Sequence, residues 1–216
     1  MGILTVVSAN TVQSSGLDVI GAESRSIQQQ ATLAQQIHQV TRDAEALIRG
    51  RGAAALLERP EPDSWCIAEC LDHLTQTTRA FLPAIAAAIA KTPRLTKNRR
   101  LRTGMFPRLF IRNLTPPYRL RFKVLPQLAP QQPSPETAWS SFVESQSELL
   151  GALRSTTGLA IDTVRIKSPV YARISYNLYG AFRMLAAHQS RHVWQIEQIL
   201  KALDKKSTPA LLEHSA

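Results

Sequence analysis

The stretch SYNLYGAFRMLAAHQSRHVWQIEQIL, residues 175–200, decides how the rest of the chain is interpreted. Its apolar residues recur at steps of three and four, which predicts one long helix with a buried face. His188 and His192 lie in the middle of that face, one helical turn apart. Two imidazoles at this spacing can bind one metal ion from the same side. The stretch therefore predicts a core helix that carries two ligands of a metal site.

The composition favours one largely helical domain in a reducing compartment. The chain has 216 residues, of which 44% are hydrophobic and 9 are glycine, which suffices for one domain with a full core. No apolar run is long enough for a membrane span, and the amino terminus lacks the basic region of a secretory signal. Cys66 and Cys70 are four residues apart, so they would close no distant loop. We expect a cytoplasmic protein.

The apolar periodicity predicts four amphipathic helices. Their predicted bounds are 23–57, with a break near Gly50, then 66–90, 134–155 and 175–200. Ser134 is a favoured cap for the third helix, and Pro135 suits its first turn. Four helices with one long crossover connection between the second and the third predict an all-α four-helix bundle. We expect the bundle domain at 23–204, a disordered segment at 1–22 and a tail at 205–216.

The stripes of apolar residues predict which side chains form the core of this bundle. They comprise Ile27, Ala34, Ile37, Ala44 and Ile48 in the first helix, Ile67, Leu71, Leu74, Phe81 and Ile85 in the second, Trp139, Phe142, Val143, Leu149, Leu150 and Leu153 in the third, and Leu185, Ile196 and Ile199 beside the histidine pair in the fourth.

The connection at residues 91–123 carries the whole positive excess of the chain. It holds eleven Lys and Arg and no Asp or Glu, out of totals of 26 basic and 16 acidic residues. Aromatic residues among arginines suit nucleic acid or an anionic membrane surface, and a basic rim would attract a small anionic substrate. We favour a solvated connection without nucleic-acid binding, since Pro-rich connections usually cross a surface. Phe106 and Phe110 should then turn inward at one end of the bundle.

The histidine pair needs a third ligand from a neighbouring helix. The other histidines are His38, His73 and His214. His38 lies beside an apolar stripe and is expected at the surface or the edge of the core, while His214 falls in the predicted tail. His73 lies near the middle of the second helix at the edge of its apolar face, so it is the best candidate. Three imidazoles would leave a coordination position open, as in catalytic zinc sites.

Two segments resemble the signatures of DinB-like four-helix-bundle proteins. WCIAECLDHL at 65–74 follows the pattern W-x-x-x-E-x-x-x-H-L, and FRMLAAHQSRHVWQ at 182–195 contains H-x-x-x-H-x-x-Q. The likeness extends loosely over residues 28–203. Many members carry one metal-binding histidine on the second helix and an HxxxH pair on the fourth, which here would be His73, His188 and His192. Cys66 departs from the family, in which serine is commoner, and this weakens the helix cap without affecting the triad.

The resemblance implies a metal site with two classes of function. Some related bundles are metal-dependent transferases that act with a low-molecular-weight thiol, or isomerases that use such a thiol as cofactor. Zn or Ni would be the expected metal, and Fe or Mn are also compatible with imidazole ligands. The substrate of such an enzyme, or of a hydrolase, would be a small molecule. If that molecule were anionic, the basic connection would attract it. The other class is a non-catalytic binding or stress-linked bundle whose histidines are vestigial or sense metal. A protein of either class could form a homodimer.

Glu69 and Gln195 are the candidates for a supporting role at the site. Glu69 precedes His73 by four residues and could orient its second ring nitrogen or act as a base. It equally has the spacing to form a capping box with Cys66. Gln195 follows His192 by three residues and could line the pocket or simply pack.

The remaining polar candidates are weaker. Asn177 and Arg191 flank the pair on the same helix, and we expect Arg191 in solvent. The sequence contains no nucleophile–base triad, phosphate-binding loop or carboxylate pair. Cys66 and Cys70 are expected to be structural, so an added thiol would have to supply any sulfur nucleophile.

Overall fold

The computed structural model describes residues 14–97, 99–116, 118, 124–171 and 173–212, with side chains described between 25 and 206. The helices are α1 (Ser14–Ile48), α2 (Ala53–Leu57), α3 (Ile67–Ile89), α4 (Met105–Leu114), α5 (Pro135–Arg154) and α6 (Leu178–Leu212), with a short 3₁₀ helix at Pro126–Leu128. Two short antiparallel strands, β1 (Arg165–Lys167) and β2 (Ser175–Asn177), place Ile166 opposite Tyr176. The fold is all-α, as predicted: α1 and α3 each pack against both α5 and α6.

Local hydrogen bonds explain where three of the bundle helices begin. The backbone N–H of Cys66 donates to Oε2 of Glu69 at 2.9 Å, which is the carboxylate half of a capping box. Ser134 Oγ accepts from the backbone N–H of Thr137 at 3.3 Å. Asn177 Oδ1 accepts from the backbone N–H of Gly180 at 2.8 Å, so Asn177 caps α6. The predicted starts of α3 and α5 are thereby confirmed. The predicted start of the fourth helix at Ser175 was wrong, because Ser175–Asn177 pair with β1 as the strand β2 and the Asn177 cap begins α6 at Leu178.

The first predicted helix is divided in two by Gly50, as expected. Gly50 has a φ of +75°, a conformation that side chains disfavour, and α1 ends just before it. The amino-terminal bound differs, because α1 begins at Ser14 rather than at residue 23. Residues 1–13 and 213–216, including His214, lie outside the described residues. The predicted disordered segment at 1–22 and tail at 205–216 stay predictions for those ends of the chain, whereas residues 14–22 lie within α1 and residues 205–212 within α6.

The core consists of two apolar clusters along the bundle, and it contains most of the predicted stripe residues. Two predictions were wrong: Ile27 is 40% exposed and Val143 is 38% exposed. In α1 the buried face runs through Ser26, Gln30, Leu33, Ile37, Val40 and Ala44. Ser26, next to Ile27, is buried instead, and one turn later Gln30 is buried, with its Nε2 donating to the carbonyl oxygen of Thr156 at 3.1 Å, so Ile27 faces outward. Val143 lies beside the buried Phe142 and faces outward.

The basic connection contains a helix, α4, which the sequence did not predict. Phe110 packs against the core as expected. Phe106 is 40% exposed, although its ring stacks on Phe110 and on Tyr176 with centroids 6.0 Å away in both cases. The expectation that Phe106 turns inward was therefore wrong, because the outer surface of its ring stays in solvent.

Most described arginines of the connection are exposed, and Arg99 is the exception. Its guanidinium binds both carboxylate oxygens of Asp162, at 2.5 and 2.8 Å. Asp162 also accepts from the backbone N–H of Arg102 at 2.9 Å. Burial would raise the pKa of Asp162, but these hydrogen bonds outweigh it and hold the pKa below its usual value. This ion pair attaches the connection to the segment that precedes β1.

No helix in the described part of the chain is long and apolar enough to cross a membrane.

Candidate metal centre

The three predicted histidines converge between α3 and α6. Nε2 of His188 lies 3.3 Å from Nε2 of His73 and 3.2 Å from Nε2 of His192. One nitrogen from each ring lies within 4.8 Å of those from the other two. His188 and His192 occupy successive turns of α6, and His73 reaches them from α3. The structure thus brings together the set inferred from the two sequence motifs.

The separation of these nitrogens matches the separation of ligands around one ion. A tetrahedral ion with nitrogens at about 2.0–2.1 Å places each pair of ligands roughly 3.3 Å apart. Both contacts that His188 makes within the triad agree with this value. The three rings would supply three ligands and leave one position open, as in catalytic rather than structural zinc sites.

A backbone carbonyl selects the tautomer of His73. The ring Nδ1–H donates to the carbonyl oxygen of Leu128 at 2.7 Å. Since a carbonyl only accepts, the neutral ring keeps its Nε2 lone pair free and directed into the cluster. The segment after the 3₁₀ helix is held on α3 by Asp72, whose Oδ2 accepts from the backbone N–H of Gln131 at 2.9 Å. Leu128 therefore gives His73 the orientation that a metal ligand requires.

Hydrogen bonds alone do not satisfy both close contacts of His188. Neutral His73 has no proton on Nε2, so that contact needs a proton on Nε2 of His188. One His188 proton makes one linear hydrogen bond, and it leaves the contact with His192 without a linear partner. A cation between the rings would satisfy all three lone pairs at once.

Burial keeps the rings in the neutral form that binds metal. It lowers the pKa of His188 to about 3, with further contributions from the nearby His73 and Arg191. It also lowers the pKa of His192, and the neighbouring side chain of Gln195 only partly opposes that decrease. Burial lowers the pKa of His73 too, although the hydrogen bond to Leu128 opposes it. Neutral rings at pH 7 need no deprotonation before they coordinate a cation.

Trp65 covers one side of the cluster. Its ring centroid lies 5.1 Å from that of His73 and 6.0 Å from that of His192, nearly parallel to the latter at 18°. His73 and His192 are buried, whereas His188 is partly exposed. The Nδ1 atoms of His188 and His192 have no hydrogen-bond partner among the described residues. The site is therefore shielded by an indole and is most accessible at His188.

Glu69 does not contact His73 in the way considered for an orienting residue. Its carboxylate binds the backbone N–H of Cys66 and the guanidinium of Arg59, the latter at 2.5 Å. Burial would raise the pKa of Glu69, but the hydrogen bond from Arg59 and that from Cys66 lower it below its usual value. The orienting partner of His73 is Leu128 instead. Because that partner is a backbone carbonyl 55 residues further along the chain, no side-chain pattern could have indicated it.

The other candidates divide between the site and the scaffold. Gln195 is half-buried beside His192. Asn177 is a scaffold residue: besides capping α6, its Nδ2 donates to the carbonyl oxygen of Arg102 at 2.7 Å. Arg191 was expected in solvent, but it is half-buried. Its guanidinium lies 5.4 Å from the ring centroid of Tyr118. His38 is exposed on α1, in agreement with its assignment to the surface.

Both cysteines are free and buried. Burial raises the pKa of the Cys66 thiol and, more strongly, that of the Cys70 thiol. A buried thiol with a raised pKa is a poor nucleophile, so neither cysteine competes with an external thiol for the chemistry of this site.

The comparison with known protein families agrees with the fold and with the histidine cluster. The family model described as the DinB superfamily matches residues 36–196, a range that includes all three histidines. No curated protein and no solved structure matches the chain. Since the family match covers well over half of the sequence and the fold is the expected all-α one, this chain belongs to the DinB superfamily.

Proposed function

We propose that the chain binds one divalent metal ion through His73, His188 and His192, and that it uses the ion to transfer a small thiol to an electrophilic substrate. The observation that carries the proposal is that Nε2 of His188 lies 3.3 Å from that of His73 and 3.2 Å from that of His192, separations that suit ligands of one tetrahedral ion. Zn or Ni would be the preferred occupant, and Fe or Mn would also accept three imidazoles. Free, buried cysteines accord with a reducing, cytoplasmic location.

The ion would supply the chemistry that the side chains lack. A bound divalent cation lowers the pKa of a thiol or water near it, and so provides a nucleophile near neutral pH. In the transfer, the thiol sulfur would bond to the electrophilic carbon as the leaving group departs with its electron pair, and the thiol proton would pass to solvent.

The residues of the chain would hold and shield the reacting groups. Leu128 fixes the lone pair of His73, and Trp65 keeps water from one side of the rings. Gln195 is a neighbour of His192, and its amide would hydrogen-bond a ligand bound there. Arg191 contributes positive charge close to His188 and His192, which favours an anionic substrate. Glu69 would act only on the structure of the start of α3.

Metal binding is tested with untagged protein and matched histidine variants. Wild type should bind about one Zn or Ni ion per chain by elemental analysis and calorimetry. His73→Ala and His188→Ala should each weaken binding about a hundredfold or more, because two imidazoles form a far weaker site. His38→Ala is the control, since it removes an exposed histidine outside the cluster. Equal affinity in His188→Ala and His38→Ala would refute the metal site.

Thiol transfer is tested by supplying thiols and electrophiles to the metal-loaded protein. Activity should require both the ion and an added thiol, and it should survive Cys66→Ala and Cys70→Ala, because neither thiol is accessible. A protein that binds metal tightly but turns over no thiol would instead support a non-catalytic or metal-sensing bundle. The lack of hydrogen-bond partners for Nδ1 of His188 and His192 would fit a weaker, sensory site.

A further inference from the structure

The outward face of α4 combines exposed aliphatic side chains with arginines. Met105 is 88% exposed and Leu109 is 61% exposed. Arg108 and Arg112 are also exposed. The four residues follow the spacing i, i+3, i+4 and i+7, so they form one continuous stripe along the helix. Buried apolar area and attraction of Lys and Arg to anionic lipids together set how strongly a helix binds at a membrane surface, and this stripe offers both.

The opposite face of α4 packs against the rest of the protein. Pro107 and Leu114 are buried, and Phe110 and Ile111 pack against the core. Pro107 sits directly over Gly180 of α6, where a Cβ would lie only 2.6 Å from its ring. The helix is therefore anchored, and its outward stripe is a separate surface.

The segment that contains α4 is positive and has no acidic residue of its own. There is no Asp or Glu between residues 91 and 123. Arg99 finds a partner in Asp162, whereas neither Arg108 nor Arg112 forms an ion pair within the described residues. Arg100 and Arg102, just before α4, are exposed as well. Such a surface is complementary to an anionic partner.

We propose that α4 docks this protein on an anionic lipid surface. Met105 and Leu109 would enter the interface between headgroups and acyl chains, while Arg108 and Arg112 would contact lipid phosphates. The aliphatic character of the stripe favours lipid over single-stranded nucleic acid, which is bound mainly by aromatic stacking. Phe106, the exposed aromatic of α4, already stacks on Phe110 and Tyr176.

The docking surface adjoins the candidate metal centre. At the carboxyl-terminal end of α4, the carbonyl oxygen of Asn113 accepts from Nη1 of Arg191 at 3.3 Å. Arg191 lies between His188 and Gln195 in the sequence of α6 and adjoins His192 directly. Docking through α4 would thus bring the part of α6 that carries two of the histidines towards the bilayer. The inference does not depend on the proposed metal or thiol chemistry, because it concerns only the surface of α4.

Sedimentation with lipid vesicles tests the proposal. The protein should bind vesicles in which about a third of the lipid is phosphatidylglycerol, and it should not bind vesicles of phosphatidylcholine alone. Arg108→Ser with Arg112→Ser should weaken binding about fivefold for each arginine. Met105→Ser with Leu109→Ser should weaken it about tenfold or more, since apolar area no longer leaves water. Arg49→Ser with Arg51→Ser is the control, because it removes two exposed charges from the turn after α1, outside the stripe, and should change nothing.

A reporter at the centre of the stripe separates insertion from adsorption by charge. Leu109→Trp should shift its fluorescence to the blue with anionic vesicles if the side chain enters the interface. The proposal is wrong if the arginine pair matters but the Met105 and Leu109 pair does not. It is also wrong if a random oligonucleotide binds more tightly than anionic vesicles at the same salt concentration. In both cases the stripe would serve charge-based binding, of which nucleic acid is the expected class.

Discussion

Alanine at Gly180 should destabilise the fold, whereas alanine at Gly151 should stabilise it. Both glycines lie within helices, Gly180 in α6 and Gly151 in α5. A Cβ at Gly180 would lie 2.6 Å from Cγ of Pro107 and 2.7 Å from Oδ1 of Asn177. A Cβ at Gly151 would meet only a side-chain nitrogen of Arg154, at 4.0 Å. The same substitution therefore meets a tight contact in one helix and open space in the other.

The change in the free energy of unfolding depends on how far the neighbouring atoms can move away from the new Cβ. The Pro107 ring cannot rotate away, so the crowding should cost about 1–3 kcal/mol. Moving Asn177 away would lose its cap to α6, a further cost of about 1 kcal/mol. The higher helix propensity of alanine relative to glycine offsets at most about 1 kcal/mol of this loss. The net loss is about 1–3 kcal/mol for Gly180→Ala, against a gain of about 0.5–1 kcal/mol for Gly151→Ala.

Thermal and urea unfolding followed by circular dichroism measure both effects. For a chain of this size, 1 kcal/mol corresponds to about 2–4 °C in Tm, so the Tm should fall by about 2–12 °C for Gly180→Ala and rise by about 1–4 °C for Gly151→Ala. Adding Pro107→Ala to Gly180→Ala should recover part of the loss. A Gly180→Ala protein as stable as wild type would show that α4 does not sit on α6 in the way described.

Three further substitutions have defined outcomes. Gln146→Met should stabilise the protein by about 1–2 kcal/mol in urea unfolding, because Gln146 is buried and both its side-chain polar atoms lack partners among the described residues; a loss of stability would mean that bound water satisfies them. Asp162→Asn should cost about 1–3 kcal/mol, since it leaves Arg99 without its carboxylate, and an unchanged urea midpoint would contradict this. Metal-free protein should lose stability as the pH falls from about 6.5 towards 3. In that pH range His188 is protonated in the unfolded chain but stays neutral in the folded protein, so protonation favours unfolding. His188→Gln should flatten this dependence of Tm on pH, and an equally steep fall in the variant would assign it to other groups.

The sequence by itself determined the parts of the fold that rest on local signals. The capping residues Cys66, Glu69 and Ser134, together with apolar periodicity, gave the starts of α3 and α5, because caps and helix faces depend only on near neighbours. The spacing of His188 and His192 placed both rings on one face for the same reason. The two motifs then indicated His73 as their partner, although spacing alone could not show that α3 carries it to within 3.3 Å of α6.

Only the tertiary structure decided the features that join distant parts of the chain. The carbonyl of Leu128 that orients His73 and the packing of Pro107 on Gly180 are contacts between separate elements. The helix α4 escaped prediction because Gly104 gives it no side-chain cap and Pro107 lies inside it. It is stabilised by packing rather than by its own propensity. That packing also decided which side of α4 remains exposed, and so where the chain presents its stripe of methionine, leucine and arginines.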